Sequence, residues 1–378
     1  MIGPLTGYTI GITGHRRWEE QAEMLTRRGA QVLHGPVMHT NLLHDTDATM
    51  RATEAALGGN VDLVVLTTGI GTRSWFAAAE SVGLDGELRS AGLGATVLAR
   101  GPKARSAAIG AGLDVHWQAQ SETSEEMVAH LARLDVAGRR VVVQRDGGQP
   151  LLADQVRELG AEVVDVPVYR WQLPEEEAPA RRLIEAACGG RVHALTFTCA
   201  YAVGNTFALA NDPDALVAAL DGPVRAVAVG PVCAGTLRRH GVTRVIEPRR
   251  ARLGAMVQAL VADLSSNHRL LRLGELSARW QGSAVLHPDG STATLTPGEA
   301  RVLDQLVRRA PAVVAKASLV DEGVDTHAGE AAVARLRAKL GPLGQGIKAV
   351  PRRGYACALS VEPAPPAEPA IAVRARTG

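Results

Sequence analysis

The feature that most constrains this chain is a rhythm. Over the first 264 residues, short runs rich in Val, Ile, Leu and Ala recur, and a helix start follows nearly every one. The runs lie at 9–13, 31–37, 63–67, 96–99, 115–118, 140–144, 162–168, 194–198, 226–229 and 245–246. Such runs, too short for buried helices and bounded by turn residues, predict strands buried on both faces, and their alternation with helices predicts parallel sheets. Several end in a small or polar residue before a helix: Thr13-Gly14, Thr68-Gly69, Arg100-Gly101-Pro102, Asp146-Gly147 and Gly230-Pro231. Junctions of this kind are where doubly wound sheets hold ligands. The pattern also echoes itself. Residues 62–80 and 96–117 repeat the order found at 193–209 and 225–246, which predicts two similar α/β halves.

Only 12 of the 378 residues are aromatic, so the core must be built from aliphatic side chains. No apolar run reaches membrane-spanning length, and the N-terminus lacks a basic stretch followed by an apolar one, so a cytoplasmic protein without a membrane partner is expected. The four cysteines, Cys188, Cys199, Cys233 and Cys357, form no C-x-x-C pair and read as small buried residues. His34, His39 and His44 recur at intervals of five, which suits neither a helix face nor a strand face. Neither a metal nor an organic cofactor is expected.

Charge is unevenly distributed. Residues 1–267 carry 26 Lys and Arg against 29 Asp and Glu, whereas residues 268–357 carry 13 against 8. A compact basic segment suits a module that neutralises phosphates. Within it, Thr296-Pro297-Gly298-Glu299 has the parts of a capping box, with proline at the first helical position. Ala300, Leu303, Leu306 and Val307 continue as an apolar stripe. A short helix at 315–320, a third helix at about 328–340 burying Val333, Leu336 and Leu340, and a hairpin at 347–351 and 355–358 with Arg352-Arg353-Gly354 at its tip complete the segment.

The order L-T-P-G-E-A, V-A-R-L-R-A-K-L and V-P-R-R-G-Y resembles the winged helix-turn-helix output domain of OmpR/PhoB-type response regulators. The resemblance implies that the third helix enters the major groove of double-stranded DNA while the basic wing touches an adjacent minor groove or the backbone. Arg335, Arg337, Lys339, Arg352, Arg353 and Tyr355 fall in its DNA-facing motifs, and Thr326 and His327 precede the helix where the family often contacts phosphate. The exposed face of the helix is rich in alanine, so thymine methyls, DNA shape and the wing would carry specificity. No receiver precedes the module: Thr13-Gly14-His15-Arg16-Arg17 stands where its acidic pair would be.

The first 264 residues resemble uroporphyrinogen-III synthase. The resemblance rests on I-T-G-H-R-R after the first run, V-V-L-T-T-G-I-G-T-R at 64–73, L-A-R-G-P-K-A-R at 98–105, P-V-Y at 167–169, L-T-F-T-C-A at 195–200 and A-V-G-P-V-C-A at 228–234. It implies two doubly wound α/β domains joined by a pair of strands, one of residues 1–37 plus 171–264 and the other of 40–168, followed by the winged helix at 268–358 and a disordered tail at 359–378. The family closes a linear, polycarboxylate tetrapyrrole precursor without a cofactor. Its cleft would be formed here by Thr13, Arg16, Arg17, Thr68, Gly69, Arg73, Arg100, Gly101, Lys103, Arg145, Thr198, Cys199, Gly230 and Cys233, with Tyr169 as the residue assisting departure of the hydroxyl. The chain departs from the family at Ala104 and Cys233, where a threonine is common, and at Cys199, where F-T-S is usual.

The expectation is a transcriptional regulator whose synthase-like body binds an anionic or tetrapyrrole-like effector, or a partner regulator. A homodimer on DNA is compatible with this reading. The alternative is a bifunctional synthase carrying a DNA-binding appendage. In a weaker third reading the body is only a dimerisation scaffold. Chains of this fused architecture occur in actinobacteria, which points to nitrogen-assimilation or tetrapyrrole-linked genes as targets.

Overall fold

The structure is a computed structural model that describes residues 2–42, 46–145, 147, 151–319 and 326–363. The chain forms two compact units, one made of Met1–Val37 with Glu176–Gly378 and the other of Met38–Glu175.

The second unit holds a five-stranded sheet in the order Trp117–Gln118, Thr96–Ala99, Leu63–Leu66, Arg140–Arg145, Glu162–Pro167, with every pairing parallel. The first unit holds another, Val245–Ile246, Arg225–Ala228, Ala194–Phe197, Thr9–Ile12, Gln31–His34, again all parallel. Burial explains the pattern. The central strands Leu63–Leu66 and Ala194–Phe197 are buried at every position, as strands covered by helices on both faces must be, whereas the edge strand Gln31–His34 alternates exposed and half-buried. All ten predicted strands form. The 31–37 run stops at His34 because Gly35 and Pro36 follow, and proline has no N–H to extend the ladder.

The internal echo is a topological one. Leu63–Leu66, Thr96–Ala99 and Trp117–Gln118 hold the same successive places in their sheet as Ala194–Phe197, Arg225–Ala228 and Val245–Ile246 hold in theirs. The strands on the other side, Arg140–Arg145 and Glu162–Pro167, correspond to Thr9–Ile12 and Gln31–His34, so the two halves are circular permutations of one arrangement. An antiparallel ladder, His39–Leu42 with Tyr169–Gln172, lies where the chain passes between the halves.

From Arg269 onward the texture changes to an antiparallel sheet, ordered Thr292–Thr294, Ala284–Leu286, Leu276–Gln281, Arg269–Leu273, Ser360–Pro363. The helix Pro297–Arg309 begins with a complete capping box. Thr296 Oγ1 accepts from Glu299 N at 3.3 Å, and Glu299 Oε2 accepts from Thr296 N at 2.8 Å. A 3-10 turn at Lys316–Leu319, the helix Thr326–Lys339 and the hairpin Ile347–Val350/Gly354–Cys357 follow. Leu271, Leu303, Leu306, Val333, Leu336 and Leu340 are fully buried in one core, each contributing roughly 1.5–3 kcal/mol of burial.

Three expectations are corrected. The helix Leu253–Ser266 runs two residues past 264, the expected end of the first α/β domain, because Leu260 and Leu264 continue its buried face. The tail read as disordered from 359 contributes the strand Ser360–Pro363, which pairs with the otherwise open edge of Arg269–Leu273; residues 364–378 lie outside the described residues. Cys188 is exposed rather than buried. Among the described residues, no helix is long and apolar enough to cross a membrane.

The hairpin is stitched to the chain before the 3-10 turn by reciprocal bonds, Val314 N to Tyr355 O at 2.8 Å and Tyr355 N to Val314 O at 2.9 Å. Gly354, at φ 130°, makes this approach possible, since a Cβ there would lie 2.0 Å from the Val314 carbonyl oxygen. Gly354→Ala is therefore expected to cost about 1–3 kcal/mol of stability, read as a lowered denaturant midpoint. Gly298→Ala, in open space within a helix, should be neutral or stabilising.

Candidate functional site

In each α/β half the crossovers leave two central strands in opposite directions, which opens a crevice at their carboxyl ends. In the first half these ends belong to Thr9–Ile12 and Ala194–Phe197. Thr13, fully buried, donates its hydroxyl to Thr196 O at 2.7 Å. A Cβ on Gly14 would lie 2.9 Å from Thr198 Oγ1, so the two turns abut. Buried Gln21 donates to Thr196 Oγ1 at 2.7 Å, and the His34 ring stacks on Trp18 with centroids 4.1 Å apart while bonding the Gly14 carbonyl at 2.9 Å.

Two cysteines stand at the helix starts of this crevice. Cys199 caps the helix Ala200–Leu209, its Sγ accepting from Ala202 N at 3.4 Å. Cys233 donates to the carbonyls of Phe197 at 3.4 Å and Cys199 at 3.6 Å. Burial raises both thiols, Cys233 up to about 12, so neither is a thiolate near neutral pH. They cap and fill. Gly230 starts the helix bearing Cys233 in an extended conformation.

In the second half the ends are those of Leu63–Leu66 and Arg140–Arg145. Gln144, fully buried, organises them: its Nε2 donates to the hydroxyls of Thr67 and Thr68, both at 3.2 Å, and its Oε1 accepts from Thr72 Oγ1 at 3.1 Å. Thr68 caps the helix Gly69–Ser81 by accepting from Gly71 N at 3.1 Å. A Cβ at Gly69 would lie 2.4 Å from the Lys103 carbonyl and 3.4 Å from Arg73 Nη1, so Thr68, Gly69, Arg73 and Lys103 share one end of this sheet. Gly101, extended, precedes Pro102 at the start of the helix that carries Lys103 and the buried Ala104.

The predicted cations divide into two groups. Arg17 holds Glu20 through two bonds of 2.7 Å, and Arg145 is ion-paired with the largely buried Asp165. Their charges are neutralised within the fold, against the expectation that they serve a ligand. Arg100 is half-buried and donates to Ser124 Oγ at 3.2 Å. Arg16, Arg73 and Lys103 are exposed. Tyr169 lies opposite Leu42 in the antiparallel ladder, and its side chain is outside the described residues. Gln144, Thr196 and Gln21 were not predicted; a lone polar residue closing the run V-V-V-Q was the available signal for Gln144. Among the described residues, no group of His, Cys, Asp and Glu is placed to hold a metal.

In the C-terminal segment, Glu299 is buried and holds two residues expected to face DNA: Lys339 Nζ donates to it at 2.5 Å and Arg335 Nε at 3.3 Å. A carboxylate buried at the third position of a helix needs cations, and Arg335 and Lys339, four apart on the neighbouring helix, supply them. Arg337, Arg352 and Arg353 are exposed, and Tyr355 is half-buried. The side chains of Thr326 and His327 lie outside the described residues.

Burial alone would raise the Glu299 carboxyl, but the Lys339 and Thr296 hydrogen bonds outweigh it and hold the group below its ordinary value. A carboxyl depressed on folding stabilises above its ordinary value and loses that contribution as pH falls through the folded value. Lys339→Met should leave the carboxylate buried with only the exposed Arg335 beside it. The acid-unfolding midpoint, followed by circular dichroism, is expected to move to higher pH, with a loss of about 1–3 kcal/mol at pH 7.

Comparison with known proteins places these halves. Residues 19–258 match the family described as uroporphyrinogen-III synthase HemD. The Bacillus subtilis protein YjjA, which is uncharacterized, is 30% identical over 264 residues, covering 68% of this chain and 96% of its own length. A crystal structure of a mutant uroporphyrinogen III synthase from Thermus thermophilus aligns with a TM-score of 0.58 at 33% identity, covering 68% of this chain and 98% of that one. With a family match over most of the chain and relatives covered almost end to end, the protein belongs to the uroporphyrinogen-III synthase family.

Proposed function

We propose that the protein is a DNA-binding transcriptional regulator in which the synthase-family body receives an anionic ligand or a partner protein. The observation that carries this reading is the segment from Arg269 onward, which lies beyond the family match and bears the excess of positive charge. Its antiparallel sheet, capped helix, 3-10 turn, second helix and basic hairpin follow the order of a winged helix-turn-helix. In this reading the Thr326–Lys339 helix enters the major groove, with exposed Arg337 beside the alanines 331, 334 and 338, and Arg352 and Arg353 on the wing meet phosphates. Arg335 and Lys339 instead fix the helix through Glu299.

The test is a mobility-shift titration of the full chain against duplex DNA over a range of salt. Binding should weaken steeply with salt. Arg352→Ala with Arg353→Ala should weaken binding to all sequences and lower the salt slope by about two. A double variant that binds like the parent would remove the wing from the interface.

Arg16, Arg73 and Lys103, exposed at the strand-to-helix turns, supply the charge for a polycarboxylate ligand. A second reading, a chain that retains synthase activity, is favoured by the near-complete coverage of the Thermus thermophilus enzyme. Against it, Ala104 offers no hydroxyl, and Cys233 and Cys199 carry thiols that burial holds protonated. Complementation of a synthase-deficient strain decides: the full chain is expected to restore little or no growth, and robust growth would establish the bifunctional enzyme.

A further inference from the structure

The first α/β half and the C-terminal sheet are docked within one unit, and their contact surrounds two histidines that must be neutral. The turn between the strands Leu276–Gln281 and Ala284–Leu286 lies on the turn before Thr9–Ile12. Ser283 N and Ser283 Oγ both donate to Gly7 O at 2.8 Å, and Gln281 Nε2 donates to Thr6 O at 2.8 Å. Gly282, at φ 54°, makes the approach possible, since a Cβ there would lie 2.4 Å from the Gly7 oxygen.

Behind these bonds lies an aromatic stack. Tyr8, 4% exposed, meets His193 edge-on at 5.2 Å and stacks on His268 at 6.2 Å, while its hydroxyl donates to Leu264 O at 3.1 Å. His268 is 1% exposed, and neither ring nitrogen has a well-formed hydrogen bond; only the Pro4 carbonyl offers a weak acceptor. His193 sits on the α/β side of Tyr8, and its Nδ1 accepts from Thr9 N at 3.0 Å, a bond that a protonated ring cannot accept.

Among the described residues, the charged groups around the stack offer an imidazolium no unengaged counter-ion. Arg279 on the adjacent strand acts on His268 with the same sign. The carboxylates in the neighbourhood are engaged: Asp263 accepts from Arg225 at 2.8 Å and Asp304 from Arg269 at 2.6 Å. The Tyr8 hydroxyl, raised to about 12 by burial, stays neutral. A buried cation without an acceptor is costly, so adding a proton to either ring works against docking.

We propose that this contact is a proton-operated latch: the C-terminal sheet is held on the first α/β half while His268 and His193 are neutral and is released when they are protonated. Burial lowers both histidines from their ordinary value of 6.5. A base depressed by docking stabilises the docked form fully above that value, and the contribution is lost as pH falls below it. One such group weakens docking at most tenfold per pH unit and two at most a hundredfold. The latch acts on the fold itself and stands whether or not the C-terminal segment binds DNA.

Hydrogen exchange on the full chain between pH 8 and pH 5.5, expressed as protection factors to remove the intrinsic pH effect, tests it. Peptides spanning residues 3–9 and 279–286 should lose protection by tenfold or more per unit below about pH 6.5, while peptides spanning 63–66 and 140–145 hold theirs. His268→Phe keeps a ring on Tyr8 and removes one titration, so its profile should be shallower and shifted to lower pH. A flat profile in the parent, or one unchanged in the variant, overturns the latch. Should the variant fail to fold, the His268 ring titration in the parent, followed by NMR with labelled histidine, decides: a midpoint at or above 6.5 overturns the proposal.

Discussion

Each α/β half depends on pairing two strands that are far apart in the chain. Thr9–Ile12 lies beside Ala194–Phe197, and Leu63–Leu66 beside Arg140–Arg145. In both cases the strands are buried on both faces, so the pairing satisfies backbone groups that water cannot reach, and it aligns the carboxyl ends where the chain diverges. The crevices are a consequence of that pairing. Circular permutation moves the chain connections without changing which strand ends meet. Thr13 and Thr198 in one half therefore correspond to Gln144 and Thr67 in the other.

Within these crevices the fold uses much of its polarity on itself. Gln144 ties Thr67, Thr68 and Thr72 into one network, and Thr196 does the same for Gly11 and Gln21. Buried amides and hydroxyls left without partners would each cost about 1–3 kcal/mol, so such networks either close or are not kept. The Arg17–Glu20 and Arg145–Asp165 pairs cancel charge in the same way. Of the predicted cations, Arg16, Arg73 and Lys103 remain exposed at the turns.

The C-terminal segment follows a related logic through Glu299. One carboxylate closes the capping box of its own helix and holds Lys339 and Arg335 of the next, so local helix initiation and the packing of two helices rely on the same group. Of the arginines expected to face DNA, Arg337, Arg352 and Arg353 are exposed and take no part in this pairing.

The sequence by itself determined the local elements. Short apolar runs located every parallel strand, and T-P-G-E located the helix start with its capping box, because strand burial and helix capping are set by residues close together in the chain. It also determined the family, through the order of the glycine-rich turns. It could not determine which cations stay free. Arg145 and Arg73 look alike in sequence, and only tertiary folding sets Asp165 beside one and leaves the other exposed. Nor could it show that Ser360–Pro363 closes a sheet edge opened some 90 positions earlier, as the Arg272–Ser360 pairing does, or that Glu299 faces Lys339. Charge pairing and edge pairing depend on contacts between distant segments, and those contacts exist only once the chain has folded.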